Sequence, residues 1–332
     1  MATSAAADES LPVDDPGPGM LAPMTTHRLE PDERTLHGFF SRDLSPVLTV
    51  DSGDTVVLRT LDAGWHLEPP RAADDWGRRA PNAGPGHALC GPISVRGAEP
   101  GMTLEVRFDR LRPGSWGATV AGGRDTELNR RLGLGEGPAH VTLWRLDADG
   151  GVAEDQAGHV VRLRPFMGVT GVAPAEPGEH STRPPRPCGG NIDCRELVEG
   201  SSLLLPVAVP GALLSTGDGH GAQGDGEVSG TAIECPMEVC ELTLVLHPEL
   251  SLAMPRAETP AGTLTFGFDA DLNEAMAVAL DAMVDLVAQR LDVDRREALA
   301  LASVAVDLRV TQVANDTWGV HAVLPPDAFS AR

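Results

Sequence analysis

Between Leu213 and Glu234 the chain reads LLSTGDGHGAQGDGEVSGTAIE, and its polar residues are of the kinds that hold metal ions and move protons: Asp218, His220, Asp225, Glu227 and Glu234. Five glycines fall within the eleven residues Gly217 to Glu227. Lacking a Cβ, they let the backbone fold tightly enough for Asp218, His220, Asp225 and Glu227 to converge. In extended chain, residues i and i+2 share a side, so the Asp218 carboxylate and the His220 imidazole can reach one cation, and zinc accepts both. A third and a fourth ligand must come from elsewhere, and Glu234, Asp193 and His87 are the candidates. The competing account is a turn closed by Asp218 with His220 solvated. Two further Gly-flanked polar clusters argue against it, Gly86-His87 and Gly189-Gly190-Asn191-Ile192-Asp193, each beside an apolar, strand-like run.

Apolar, strand-prone segments flank the central stretch, LLLPVAVPGALLS before it and VSGTAI after it. They predict a loop presented by a β scaffold, with Glu234 in or at the end of the next strand. Upstream, Val47 and Thr49, then Val56 and Leu58, alternate around Asp51-Ser52-Gly53-Asp54, which predicts a β-hairpin. GPISVRGAEPGMTLEVRFDRLRPG repeats that pattern of strand, turn and strand and suggests duplicated hairpins. Glu68 to His87 is a long Pro/Gly/Asp loop of the kind that often carries function, with Trp76 inside it and Trp65 just before. No element is predicted between Gly114 and Gly137. VTLWRL, VVRLRPFMGVTGVA and MEVCELTLVLHP read as strands, and the proline density of PAEPGEHSTRPPRPCGG excludes helix and central strand there.

The period then changes. From Asp271 to Leu291, Leu272, Ala275, Met276, Ala279, Leu280, Met283, Leu286, Val287 and Leu291 recur at helical spacing, with Asp271 and Glu274 as a capping box. A second helix begins at Asp294, with Glu297 as its reciprocal cap, before DLRVTQV returns to extended chain. Met276 and Met283 belong to the core face. The fold class is therefore mainly β (α+β): an acidic Pro/Gly-rich tail over 1–25 excluded from the fold, a β-rich part over 26–268 and a helical segment over about 271–305, the last two forming one domain over 26–332.

Composition narrows the chemistry. A net charge of -22 disfavours nucleic acid and anionic membranes as partners. All 26 basic residues are arginine, and lysine and tyrosine are absent. Arginine holds its proton too tightly to serve as a base or a Schiff-base former, so every mechanism needing a neutral lysine is excluded. There is no phosphate-cradling G-x-x-x-x-G-K-[ST] and no C-x-x-C. Five cysteines, an odd number, with no N-terminal leader pattern point to the cytoplasm. No run approaches the roughly twenty apolar residues that cross a bilayer.

GPISVRGAEPGMTLEV, FMGVTGVAPAEPGEHSTRPPRPCGGNID and STGDGHGAQGDGEVSGTAIE resemble the acetamidase/formamidase family, as does EALALASVAVDLRVTQ near the C-terminus, so the likeness runs from about Leu36 to Val320. It implies a β-sandwich-like fold, homo-oligomeric assembly, a divalent metal, zinc, and hydrolysis of a short amide such as formamide or acetamide to ammonia and a carboxylate. The absent lysine agrees with it: neither a Ser-Ser-Lys nor a Glu-Lys-Cys amidase site can be built, and no G-x-S-x-G elbow is present. On this basis Asp218 and His220 hold the metal, completed by His87 and Asp193. Glu234 is the general base with Glu227 as the alternative, and Asp225, Gly217 and Asn191 lie around the ligands or the substrate. Cys90, in GHALCGPI, departs from the threonine or other small residue of the family pattern, which bears on the pocket wall and substrate range. Two other readings stand beside this one: a hydrolase of the same fold acting on a larger amide or carbamate, with Trp65 and Trp76 lining a wider pocket, and a metal- or small-molecule-binding protein without chemistry.

Overall fold

The computed structural model describes residues 24–72 and 74–329, so the expected tail lies, up to residue 23, outside the described residues. Two large sheets face each other. The first has nine strands, in the order Thr26–Leu29, Thr55–Thr60, Met237–His247, Thr103–Pro113, Ser202–Pro206, Arg256–Thr259, Gly262–Asp269, Trp318–Leu324 and Asp307–Gln312. The second has twelve, and its path runs Val160–Arg162, Val152–Asp155, His140–Asp147, Trp116–Ala121, Glu234–Cys235, Leu214–His220, Phe166–Gly171, Gly189–Asn191 and Pro185–Arg186. Leu89–Val95 also pairs with Leu214–His220 and is itself joined by Leu36–His37 and Leu48–Val50.

One apolar cluster draws on both sheets: Val56, Leu58, Val106, Phe108, Leu242 and Leu244 from the first, Cys90, Ile93, Met167, Leu214 and Cys235 from the second. Period-2 alternation places them there, and each large side chain so buried contributes about 1.5–3 kcal/mol. The architecture is thus the mainly β, sandwich-like one that the pattern implies. Proline-rich residues 172–188 contribute only the two-residue strands His180–Ser181 and Pro185–Arg186, the latter at a sheet edge, where a missing N–H is tolerated.

The expected hairpins do not form. Asp51 to Asp54 makes a turn, with Asp54 N–H donating to the Asp51 carbonyl at 3.1 Å, but the strand before it pairs in the second sheet and the strand after it in the first. Leu48 and Val50 face inward and Val47 and Thr49 outward, one residue out of phase with the expectation. Alternation fixes neither the partner of a strand nor, over three residues, which parity is buried. The suggested duplication survives in altered form. Leu48–Val50 and Leu89–Val95 lie side by side in the second sheet, while Thr55–Thr60 and Thr103–Pro113 both flank Met237–His247 in the first. Each repeated unit is a crossover between sheets.

Residues 114–137, where no element was expected, hold the strand Trp116–Ala121 and a short helix, α1 (Glu127–Leu132). Thr126 caps α1 by accepting from Asn129 N–H, and Gly133 ends it at φ +72°. Six residues are too few for a helical period to register. The two C-terminal helices are α2 (Leu272–Leu291) and α3 (Arg295–Ala305), capped as expected by Asp271 and Asp294. Asp271 N–H, however, donates to Asp269 Oδ1 at 2.8 Å, which leaves no reciprocal bond for Glu274. Helix α2 lies on the outer face of the first sheet, where Thr265 Oγ1–H donates to the Ala279 carbonyl at 2.7 Å.

On the same sheet Glu105 ties three strands together: it accepts from Arg107 Nε at 2.8 Å and Ser202 Oγ at 2.8 Å and meets His247 Nε2 at 2.7 Å. Partial burial pushes its carboxyl up, but these three partners outweigh it and hold the pKa down from 4.5 to about 2. A depressed carboxylate stabilises the fold above its unfolded pKa, and the contribution disappears as pH falls from 4.5 toward 2. Glu105→Gln is expected to lower the urea midpoint at pH 7, with the gap to wild type narrowing across that acid window. A series of urea titrations against pH checks this.

Candidate active site

The strand Leu214–His220 is buried at every residue although it carries Ser215, Thr216, Asp218 and His220. One face meets the core; the other gathers acids. His220 stands opposite Glu234 of the next strand, and the register places Gly168 across from Asp218 on the other side. His220 Nε2 lies 3.4 Å from Asp218 Oδ1 and 3.3 Å from Glu234 Oε2. Donor atoms of Asp218, His220 and Glu234 all fall within 4.8 Å of one another, and so do those of Asp193, His220 and Glu227. The expectation that Asp218 and His220 point to one side is met, but within a strand. The Gly-rich loop begins only after His220, and the residues 228–233, expected as strand, are irregular.

Three of the acids sit in the left-handed region of the backbone: Asp193 at φ +51°, Asp218 at +59° and Glu227 at +43°. Such residues cost energy that the surroundings must offset, and they concentrate at functional sites. Glu227 is held by its neighbour Gly226, which is bridged to Gln312 with N–H donated to the Thr311 carbonyl at 3.1 Å. Asp193 donates its own N–H to the Gly168 carbonyl at 3.2 Å and receives Asn315 Nδ2 on Oδ2 at 3.3 Å.

The histidine ring is oriented from behind. His220 Nδ1 donates to Gln223 Oε1 at 3.0 Å, and Gln223 Nε2 donates to the Asp193 carbonyl at 2.7 Å. With Nδ1 committed to Gln223, Nε2 is the nitrogen turned to the carboxylates, the one a metal would take. Phe166 packs edge-on against the ring at 4.9 Å. His87 is fixed differently: Thr182 Oγ1 accepts its backbone N–H at 2.9 Å and meets Nδ1 at 2.9 Å.

The titration of these groups reflects crowding. Burial pushes Asp193 up to about 8 and Glu234 up to about 7, with His220 opposing both rises. Glu227 is raised by burial and by Asp193. Burial works against the Asp218 carboxylate, yet His220 and His87 outweigh it and keep Asp218 low, while Glu234 and Asp218 raise His220 against its own burial. His87 is lowered, chiefly by burial, which keeps its imidazole neutral. Four carboxylates around one imidazole exceed what the histidine can balance.

The donor set fits a cation. Asp193 Oδ1, Asp218 Oδ1, His220 Nε2 and Glu234 Oε2 are all buried and none has a hydrogen-bond partner. Buried polar atoms are satisfied as a rule, and oxygen and imidazole donors in this number match a divalent ion. Gly168 shapes the space: a Cβ there would lie 2.8 Å from Asp193 Oδ1, Asp218 Oδ2 and His220 Cε1 alike.

A cavity of about 850 Å³ opens over the cluster, lined by His87, Asn191, Asp193, Asp218, Glu227 and Glu234, by Asp62, His66 and Trp76 from the preceding turn and the long loop, and by Asn315 and Asp316. His87 thus belongs to the wall but to neither donor set. Asn191 donates Nδ2 to the Arg183 carbonyl at 3.0 Å and leaves Oδ1 buried without a partner. Gly217 has a packing role, since a Cβ would meet the Ala88 carbonyl at 2.3 Å. Asp225 is not brought to the site: it is exposed, near Arg195 and Arg309. Cys90 is buried in the core with Sγ 3.3 Å from the Arg59 carbonyl and lines no part of the cavity, so it does not alter the wall. Trp65 is likewise internal, and only Trp76 of the two tryptophans faces the cavity. Gly168, Gln223, Thr182 and Asn315 escaped the sequence reading, and only Gln223, three residues past His220, sits where a ligand's neighbour could have been sought.

A sandwich with a buried carboxylate–imidazole cluster at the floor of a wide cavity defines a candidate hydrolase site. The profile of the acetamidase/formamidase family matches residues 24–181 and 177–251, and the chain belongs to that family. It is 29% identical over 251 residues to a Schizosaccharomyces pombe protein named as a formamidase, an alignment covering 60% of this chain and 60% of that protein's length. Among solved structures it resembles the acetamidase of Bacillus halodurans, with TM-score 0.79, 28% identity and coverage of 90% of this chain and 97% of the other. The acetamidase of Yersinia enterocolitica gives TM-score 0.81 and 25% identity, covering 93% and 94%. Among the described residues no helix is long and apolar enough to cross a membrane.

Proposed function

We propose that the protein hydrolyses the C–N bond of a small amide to ammonia and a carboxylate. The observation carrying this reading is the convergence of four unpartnered buried donor atoms, from Asp193, Asp218, His220 and Glu234, at the cavity floor. Family membership supports it. Asp193, Asp218 and His220 would hold a divalent cation, zinc by resemblance, with one glutamate adjacent; what it supplies when bound is Lewis acidity toward the amide carbonyl and a water molecule.

The chain's own groups move the protons. Glu234 takes a proton from water as the O–C bond forms and returns it to the amide nitrogen as the C–N bond breaks, while the acid product ionises. Glu227 is placed for the same work from the Asp193 side. Gln223 keeps His220 in one tautomer, and Thr182 holds His87 at the wall. One catalytic domain over 26–332, cytoplasmic location and homo-oligomeric assembly belong to the same proposal, and light scattering on the purified protein tests the last.

Ammonia release from a panel running from formamide to aromatic amides, with and without chelator, tests the function. Asp218→Ala and His220→Ala are expected to lose metal and turnover together. Glu234→Gln is expected to keep metal and lose about 10²–10⁴ in kcat. Full activity in His220→Ala would sink the assignment. A second reading, a larger amide, is favoured by the cavity of about 850 Å³ with Trp76 in its wall, far more space than formamide fills. Release confined to the large amides would establish it, and no release at all would mark a binding protein.

A further inference from the structure

The turn Asp62–His66 reaches the cavity from the first sheet and is not part of the carboxylate cluster. The Asp62 side chain is only 3% exposed, and both of its oxygens are spent on one residue: Oδ1 accepts the His66 backbone N–H at 2.7 Å and Oδ2 lies 2.8 Å from His66 Nδ1. A carboxylate can only accept, so Nδ1 is the donor, and the neutral tautomer this bond selects is the one with its lone pair at Nε2. That atom has no hydrogen-bond partner among the described residues. Trp76 lies against the ring at 5.3 Å with 30° between planes.

The chain goes to some length to place this ring. Trp65, a bulky residue, adopts φ +68°, buried and anchored by its Nε1–H to the Gly86 carbonyl at 2.9 Å. The Ala63 carbonyl accepts Ala88 N–H at 3.3 Å, so the turn is stitched to both sides of His87. At Gly64 a Cβ would stand 2.4 Å from His66 Cε1 and displace the ring. Trp65 also belongs to the main apolar cluster, so the turn is pinned to the core while it holds His66 at the cavity wall.

We propose that His66, positioned by Asp62, recognises the substrate's carboxamide nitrogen by accepting one of its N–H groups at Nε2. The proposal rests on the amide-hydrolase reading. An ester of the same acid has no N–H to give, and neither does the carboxylate product, so the pair selects amides and does not retain product.

The test compares a primary amide with the methyl ester of the same acid. His66→Phe keeps a ring against Trp76 but has no acceptor, and it is expected to lower kcat/KM for the amide about 10- to 100-fold while leaving the ester within about threefold. His66→Gln, which offers Oε1, is expected to recover part of the loss. Asp62→Asn can donate to Nδ1 and so drive the proton onto Nε2; it is expected to remove the preference for amides as His66→Phe does. Equal losses on amide and ester, or no loss, overturn the proposal. Wild-type failure on every amide instead sinks the functional reading, and the proposal is then judged on binding. In ¹⁵N spectra of the histidine rings, acetamide is expected to shift His66 Nε2 in wild type, and an unmoved resonance overturns it.

Discussion

Gly168→Ala is expected to abolish metal retention and amide turnover while leaving a folded protein. The added methyl would sit 2.8 Å from Asp193 Oδ1, Asp218 Oδ2 and His220 Cε1. None of the three can step aside cheaply: Asp193 is tied to the Gly168 carbonyl through its N–H, Asp218 is fixed in the left-handed region, and His220 is clamped by Gln223 and Phe166. A displacement of about 1 Å in such a constellation costs on the order of 10²-fold in rate, and overpacking costs about 1–3 kcal/mol of stability. Elemental analysis, ammonia release and a urea titration on one preparation separate the two effects. Stoichiometric metal with full turnover would show that the donors do not close over Gly168.

Gly267→Ala is expected to produce the largest loss of stability outside the site. A Cβ at Gly267 would stand 1.9 Å from the Ala275 carbonyl oxygen and 2.7 Å from Ala279 N, both backbone atoms of α2. No side chain can rotate out of the way, so the helix must lift from the sheet, which also breaks the bond from Thr265 Oγ1 to the Ala279 carbonyl. A cost of about 3 kcal/mol or more follows from overpacking together with the lost bond. Calorimetry on wild type and variant checks it, and the remaining folded fraction should keep its specific activity because the helix lies away from the cavity. An unchanged unfolding midpoint would mean that α2 is not seated on this face.

Both glycines mark the limit of what the residues reveal by themselves. Helices α2 and α3 are legible because nine apolar positions of one and the capping aspartates of both are local signals. The Asp218–His220 pair is legible for the same reason, as a two-residue period, and the convergence of Asp193, Glu227 and Glu234 was within reach of their chemistry. Strand partnership is not a local property. Asp51 to Asp54 folds the chain back as the residues foretell, yet its flanking strands enter different sheets. Gly168 looks like any glycine in FMGVTG until the register sets it against Asp218. Gln223, Thr182 and Asn315 matter only through the atoms they touch, and no spacing announces those contacts. Asp225, rich in promise by composition, turns to solvent because the loop beyond His220 swings it toward Arg195 and Arg309.

The donor residues run from Asp193 to Glu234, and the strands among them are set in place by pairings distant along the chain, among them Leu214–His220 with Leu89–Val95 and Trp116–Ala121 with Glu234–Cys235. Closing such loops is entropically slow, so the second sheet is expected to be among the last parts to assemble. A cation that binds all these donors at once therefore cannot nucleate folding. It can only capture the finished sheet, slowing unfolding while leaving the refolding rate unchanged.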